Sequence, residues 1–304
     1  METLLEIKQA RTAASNQPWM GWSPLFVFTA LAISLRGCLP PWGLMWILSI
    51  AIFAGFKWWT WWRAISCGVF ITTTTRSFAY LFLWPGMDAR RFLALSAYSK
   101  TPTLSAWAWA FAKTVFGAGL VWGGARLAGH GLFAGWIGMV GFIFLLHFGL
   151  FAVLALFWQR QGICAQPLMN CPVAANSLSD FWGKRWNSGF RNIVFGLFFV
   201  RLAKRFGTTS ATIITFVISG LIHELVITFP AGAGYGLPTL YFTLQGVAML
   251  VERSTIGVRL GLAHGWRGHA FALMVVTLPI VALFPPSFVL RVMVPFLQVI
   301  KALP

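Results

Sequence analysis

At 304 residues the chain is long enough for one large domain or two small ones, yet 58% of it is hydrophobic and only 10% charged, against roughly 25% charged in a soluble protein. With 29 Phe, 17 Trp and a mean hydropathy of +0.76, it holds more apolar surface than a water-soluble domain of this size can bury, which excludes a soluble globule and an aqueous disordered chain. The 23 Lys and Arg against 6 Asp and Glu give a formal charge of +17; because they cap long apolar runs, they read as headgroup anchors or a site for an anionic substrate, not as a nucleic-acid surface.

A transmembrane helix needs about 20 mostly apolar residues, and stretches free of Asp, Glu, Lys and Arg mark the candidates in order. Residues 12–35 are the first. Residues 37–56 are the second, opened by Pro40-Pro41 and closed by the aromatic run 58–62, which belongs at a headgroup interface. Residues 64–87, interrupted by Arg76 and the Thr run 72–75, read as a weaker or partly re-entrant span. Residues 101–125 hold Lys113 and a Gly119/Gly123 pair suited to close helix packing. Residues 127–159 carry no formal charge over a length beyond one span, so part of this stretch is expected along the interface. Residues 161–179, rich in Gln, Pro, Asn, Cys and Ser, read as a loop. Residues 188–206 are apolar but carry Arg191, Arg201, Lys204 and Arg205, an amphipathic pattern fit for the membrane face. Spans follow at 208–230, with His223 and Glu224, at 237–251, where Pro238 suits a helix start, and at 268–290, before a last apolar segment 292–300.

The fold expected is all-α: a polytopic transmembrane helical protein of about eight spans, seven to nine, in a single domain over residues 1–304. Continuous apolar runs favour helices over the alternating strands of a barrel. Glu2, Glu6, Lys8 and Arg11 precede any apolar run, so the N-terminus does not read as a cleavable signal peptide. Cys38 and Cys67 sit in or beside apolar runs as small hydrophobes. Cys164 and Cys171 share a polar loop and pair only if that loop meets an oxidising compartment.

Ionisable groups within a membrane are costly. Glu2 and Glu6 are terminal, and Asp88 and Glu252 fall at span ends. Asp180 and Glu224 remain, each inside a strong local pattern. The first pattern is Ser177-Leu178-Ser179-Asp180-Phe181-Trp182-Gly183-Lys184-Arg185-Trp186-Asn187, in which polar, basic and Trp residues alternate. Ser177 or Ser179 caps a helix here. Lys184 and Arg185 serve either as membrane anchors or as part of a site for a phosphate-bearing substrate. The second is Ser219-Gly220-Leu221-Ile222-His223-Glu224. Ser219 and His223 share a helix face at i, i+4, and Gly220 permits close approach of another helix or of a substrate. A lone intramembrane His is as readily structural; the adjacent Glu tips the balance toward function. Glu224 lies about 100° around the helix from His223. Ile227 occupies the place a second His takes in a zinc-protease helix, and Gly-x-Ser-x-Gly is absent. His264 and His269 read as interfacial, His130 and His147 as core-packing residues, and no metal is expected.

The block from Phe181 to Asn187, followed 36 residues after Asn187 by His223 in Ser-Gly-Leu-Ile-His-Glu, resembles the membrane-bound O-acyltransferase superfamily, and its wax synthase-like branch above all. Asp88-Ala89-Arg90-Arg91-Phe92-Leu93 after Trp-Pro-Gly is similar to the same branch. The resemblance is strongest over residues 80–255, and the Arg-Gly-x-Gly-Trp element of several eukaryotic members is missing. It implies transfer of an acyl group from acyl-CoA to the hydroxyl of a lipophilic alcohol, with no cofactor beyond acyl-CoA as co-substrate. It implies His223 as the central catalytic residue and Asn187 as its polar partner. Glu224, Ser219 and Asp180 stand in support, and Lys184, Arg185, Trp186 and Arg191 are the expected acyl-CoA contacts. The expected setting is a multi-pass protein among membrane lipids, in the inner membrane if bacterial and the endoplasmic reticulum if eukaryotic. Two other enzyme or transport readings stand beside it: an O-acetyltransferase acting on a glycan or natural-product hydroxyl, and a proton-coupled transporter with His223 and Glu224 as relay. A catalytically dead membrane scaffold is the remaining alternative.

Overall fold

The computed structural model describes residues 18–66, 72–95 and 101–304. Glu2, Glu6, Lys8, Arg11, the start of the first span and Cys67 lie outside the described residues. Regular structure among the described residues is helical throughout. In chain order the helices are α1 (Pro18–Ser34), α2 (Pro41–Ser66), α3 (Thr74–Leu83), α4 (Ala89–Leu93), α5 (Leu104–Leu127) and α6 (Leu132–Arg160). There follow α7 (178–185), α8 (Ser188–Ala231), α9 (Leu237–Arg253), α10 (Thr255–Arg259), α11 (Gly265–Leu283) and α12 (Pro286–Val299).

Among the described residues, five helices, α2, α5, α6, α8 and α11, are long and apolar enough to cross a membrane; α1, α9 and α12 are apolar but shorter. Their outer faces carry large apolar side chains: Phe26 and Leu31 on α1, and Leu104, Trp109 and Val115 on α5, are all exposed. Such a surface is stable against lipid, not water, and the protein is an integral membrane protein.

Several boundaries differ from those expected. Residues 127–159 are divided between the end of α5, a turn and α6, which runs unbroken for 29 residues from Leu132 to Arg160. The turn before it contains His130 between Gly129 and Gly131, both at φ +82°, and His130 is exposed there rather than packed in a core. His147 is partly buried in α6, edge-on to Phe151. The 268–290 span ends instead at Leu283, because Pro285-Pro286 cannot continue a helix; Arg291 is accommodated inside α12, where Nη1 donates to the Ala231 carbonyl at 3.2 Å. Residues 188–206 and 208–230 form one helical run, α8, bent at Gly207, whose φ of +79° only glycine adopts cheaply.

Close packing of α5 on α6 does not use Gly119 or Gly123, which face open space. Gly117 does: a Cβ there would lie 2.2 Å from the Leu145 amide nitrogen. The small residues that matter are those rotated toward the neighbour, and sequence spacing alone does not fix that rotation. The Trp run 58–62 packs on the start of α1, Trp58 Nε1 donating to the Met20 carbonyl at 3.1 Å and the Trp59 ring meeting Trp22.

Residues 64–87 are not one span. α2 continues to Ser66, and α3 is a ten-residue helix whose Arg76 donates to the Ala94 carbonyl at 2.7 Å. The turn after α3 is held by Lys57, 1% exposed, which donates to the Gly86 carbonyl and lies 3.5 Å from the centre of the Tyr80 ring. Beside it Trp84 stacks on Phe92, and the Tyr80 ring meets Phe92 at a tilt. A second cluster, Met45, Met139, Tyr241, Phe242 and Val289, joins α2, α6, α9 and α12 around the base of the site described next.

Candidate active site

A cavity of about 610 Å³ opens among α7, the two halves of α8, and α9. This is within the roughly 300–1,000 Å³ typical of small-molecule sites. Its accessible wall is mainly apolar, with Phe190, Phe195, Phe199, Phe216 and Phe242 prominent in it. Polar side chains interrupt it, among them His223, Asn187, Ser219, Arg191 and Arg253. His223 and Asn187, distant in sequence, therefore line one cavity.

His223 sits in α8 just ahead of a wider helical turn, Glu224–Thr228. Its Nδ1–H donates to the Ser219 carbonyl one turn earlier at 2.7 Å, because a carbonyl can only accept. That bond assigns the tautomer: Nε2 keeps its lone pair, and no protein group among the described residues bonds to it. The ring lies 4.3 Å from the Phe242 centroid, which fixes its plane. Ser219 is buried on the cavity wall and its hydroxyl donates to the Thr215 carbonyl at 3.0 Å. Gly220 brings a helix close, not a substrate: a Cβ there would lie 2.6 Å from the Thr239 Cα of α9.

Glu224 does not approach the imidazole as a partner. Its carboxylate accepts from the Thr228 hydroxyl, and from the Thr239 amide and hydroxyl at 3.1 and 3.0 Å. Thr239 is in the first turn of α9, where a negative charge meets unsatisfied N–H groups and the positive end of the helix dipole.

Asn187 stands at the junction of α7 and α8 with φ +38° and ψ +66°, a left-handed conformation that Asn tolerates better than most residues. Its Oδ1 accepts from the Phe190 amide at 3.2 Å, which caps the start of α8. With the oxygen so engaged, the Nδ2 amide protons remain for the cavity.

The expected acyl-CoA contacts divide. Trp186 and Arg191 line the cavity, Arg191 through a guanidinium steadied by the Gly183 carbonyl and Asn192 Oδ1. Lys184 is exposed outside it. Arg185 is turned away, its Nε 2.5 Å from Asp180 Oδ2 and its Nη1 on the Cys171 carbonyl. Asp180 likewise serves the segment rather than the cavity. Ser177, not Ser179, is the N-cap, accepting the Asp180 amide at 3.0 Å. His269 ties the same loop to α11 by donating to the Ala175 carbonyl at 2.9 Å, and His264 stands just before that helix. Cys164 and Cys171 are free thiols.

Partial burial would raise the Asp180 pKa, but hydrogen bonds from Arg185 and the Asn176 amide, with the charges of Arg185 and Lys184, hold it below the usual carboxylate range. A depressed folded-state pKa contributes stability that is present above the unfolded value, about 3.9, and is lost as pH falls through the folded one. Tryptophan emission from this segment is expected to stay constant down to about pH 4 and to change below it, with the acid transition absent in Asp180→Asn.

Residues not anticipated from the sequence are Glu252, Arg253, Gln245 and Thr215. Arg253 lines the cavity and donates from Nε to the Ser179 hydroxyl at 3.0 Å. Gln245 accepts the Trp182 indole N–H at 3.2 Å. Thr215 lines the cavity with a hydroxyl that has no partner among the described residues. The one available signal was Glu252, an acidic residue in the last turn of a helix, where the dipole disfavours it unless outside donors compensate.

Residues 165–244, which hold Asn187 and His223, match the family described as Membrane bound O-acyl transferase. The chain is 35% identical over 103 residues to a long-chain-alcohol O-fatty-acyltransferase of Simmondsia chinensis, covering 30% of this chain and 28% of that protein. It is 31% identical over 137 residues to acyl-CoA–sterol O-acyltransferase 1 of Arabidopsis thaliana, covering 40% and 39%. A probable long-chain-alcohol O-fatty-acyltransferase 9 of Arabidopsis thaliana is 35% identical over 100 residues, covering 30% and 29%. The matched stretch thus spans less than two fifths of each relative.

Proposed function

We propose that this chain belongs to the membrane-bound O-acyl transferase family, in its wax synthase-like branch, and transfers an acyl group from acyl-CoA to the hydroxyl of a lipophilic alcohol. The observation that carries this reading is the shared cavity of His223 and Asn187, mainly apolar in its accessible wall and with two arginines among its polar side chains.

In this reading the alcohol hydroxyl gives its proton to His223 Nε2 as its oxygen attacks the thioester carbonyl carbon. The carbonyl oxygen becomes an oxyanion and accepts from Asn187 Nδ2–H. The tetrahedral intermediate collapses, the C–S bond breaks, and the departing thiolate takes the proton back from Nε2–H. The products are an ester and free CoA, and His223 returns to its starting state. The aromatic walls suit two aliphatic chains. Arg191 and Arg253 suit the anionic donor, and the basic run through Arg201, Lys204 and Arg205 suits a cytoplasmic face, where CoA resides. Glu224, engaged at the head of α9, is poorly placed for a proton relay, which weighs against a transporter.

The test is acyl transfer by detergent-purified protein, with radiolabelled palmitoyl-CoA and a pool of fatty alcohols, sterols and diacylglycerol. A labelled ester is the expected result, and its identity names the acceptor. Folded protein that labels none of these, but acetylates glycans from acetyl-CoA, would replace this reading with the acetyl-transfer alternative.

A further inference from the structure

Two side chains that line the cavity come from segments far apart in the chain, and something must set their separation. His223 belongs to α8, whereas Asn187 ends a segment that begins at Ser177. α9 touches both. Its N-terminal turn receives Glu224, and Phe242 packs on the His223 ring. Farther along, Gln245 accepts the Trp182 indole, and Gln245 Nε2 in turn donates to the Val275 carbonyl at 2.8 Å. At its end, Glu252 and Arg253 meet the start of α7.

Glu252 is 1% exposed. Its Oε2 accepts the Leu178 amide at 2.5 Å and its Oε1 the Ser179 amide at 3.2 Å. These are the first two N–H groups of α7, which have no partner within their own helix. Buried amides without acceptors are costly, and charge-assisted bonds to a carboxylate are among the stronger ways to satisfy them. The carboxylate is itself misplaced by helix electrostatics, since α9 presents its negative end here. Each fault cures the other, so the contact has one low-energy arrangement. Between this contact and Asn187 the segment has little slack. Ser177 caps Asp180, Asp180 holds Arg185, the Trp186 amide bonds the Phe181 carbonyl at 2.9 Å, and the Phe181 and Trp186 rings stack. A shift at Leu178 is therefore transmitted to Asn187.

Resting on the acyl-transfer reading, we propose that Glu252 is a positioning residue: by receiving the first two amides of α7 it sets where Asn187 stands relative to His223. Glu252→Gln offers one acceptor oxygen and puts an NH2 group against a backbone donor. Displacement of a reacting group by about 1 Å costs up to roughly 100-fold in rate, and the expected loss in kcat is 10- to 100-fold. KM for acyl-CoA and alcohol stays within about threefold, because Asn187 acts on the transition state. Glu252→Asp, which keeps the charge, recovers part of the loss.

The deciding measurement is a double-mutant cycle in detergent-purified full chain. In an Asn187→Asp background, Glu252→Gln is expected to lower kcat by less than threefold, since the group it positions is already lost. Equal losses in both backgrounds would overturn the proposal, as would a native kcat in Glu252→Gln. If Glu252→Gln does not yield folded protein, the same cycle is run with Glu252→Asp. If the native chain forms no ester at all, it is the acyl-transfer reading that fails. The contact is then read by hydrogen exchange at the Leu178 and Ser179 amides, which speeds up in Glu252→Gln if the carboxylate holds them and is unchanged if it does not.

Discussion

Replacing His223 with Ala lowers the rate of ester formation by about 10²- to 10⁴-fold, the range a positioned general base contributes. The size follows from how the ring is held. Nδ1–H is committed to the Ser219 carbonyl and the plane is set by Phe242, so the basic nitrogen is the one left for a substrate. An alcohol is a weak nucleophile until its proton is accepted, and among the described residues no cysteine lines the cavity to offer a covalent route. His223→Gln sharpens the experiment: Gln fills much of the same volume and can donate to Ser219, but it is not a base near neutral pH. Both variants are expected to keep KM for acyl-CoA and to lose kcat, since the proton moves only in the transition state. Ester formation by His223→Gln within threefold of native would remove the base role and leave His223 as a packing residue.

The membrane class was legible because it depends on totals: no arrangement of this composition hides its apolar surface from water. That Asn187 and His223 share a candidate site was legible through pairing of two local patterns, each weak alone, with Asn187 before an amphipathic stretch and His223 inside an apolar one. Helix rotation was not legible. Gly117 and Gly119 are nearly adjacent, yet only the first faces α6, and the wide turns at Leu120–Gly124 and Ile143–Leu150 shift the register on which such a reading relies. The partners of Glu224 and Glu252 were not legible either. Both carboxylates bind backbone amides at helix starts, and an amide carries no side-chain signature. Sequence adjacency made Glu224 look like a partner of His223, while the helix turns it toward α9. The Gly-His-Gly turn at His130 was readable from its two glycines and was masked by the apolar residues on either side.

Asn187→Asp is expected to lower kcat by about 10²- to 10³-fold, the loss seen when one oxyanion donor is removed, or about 3–4 kcal/mol, with thermal stability close to native. The two effects separate because the side chain has two ends. Its oxygen caps α8 at the Phe190 amide, and an aspartate oxygen does this equally well. Its nitrogen is the end that this bond leaves free, and aspartate replaces that donor with an acceptor, so a developing oxyanion meets charge of its own sign. Asn187→Ala removes both ends. It should match the kinetic loss and in addition lower stability by about 1 kcal/mol for the lost cap, with a further cost because alanine resists φ +38°. Reading kcat and Tm on the same preparations therefore distinguishes a cap from a catalytic donor. A residue that only caps gives Asp the native kcat and Ala the loss in Tm. A donor gives both variants the loss in kcat and Ala alone the fall in Tm.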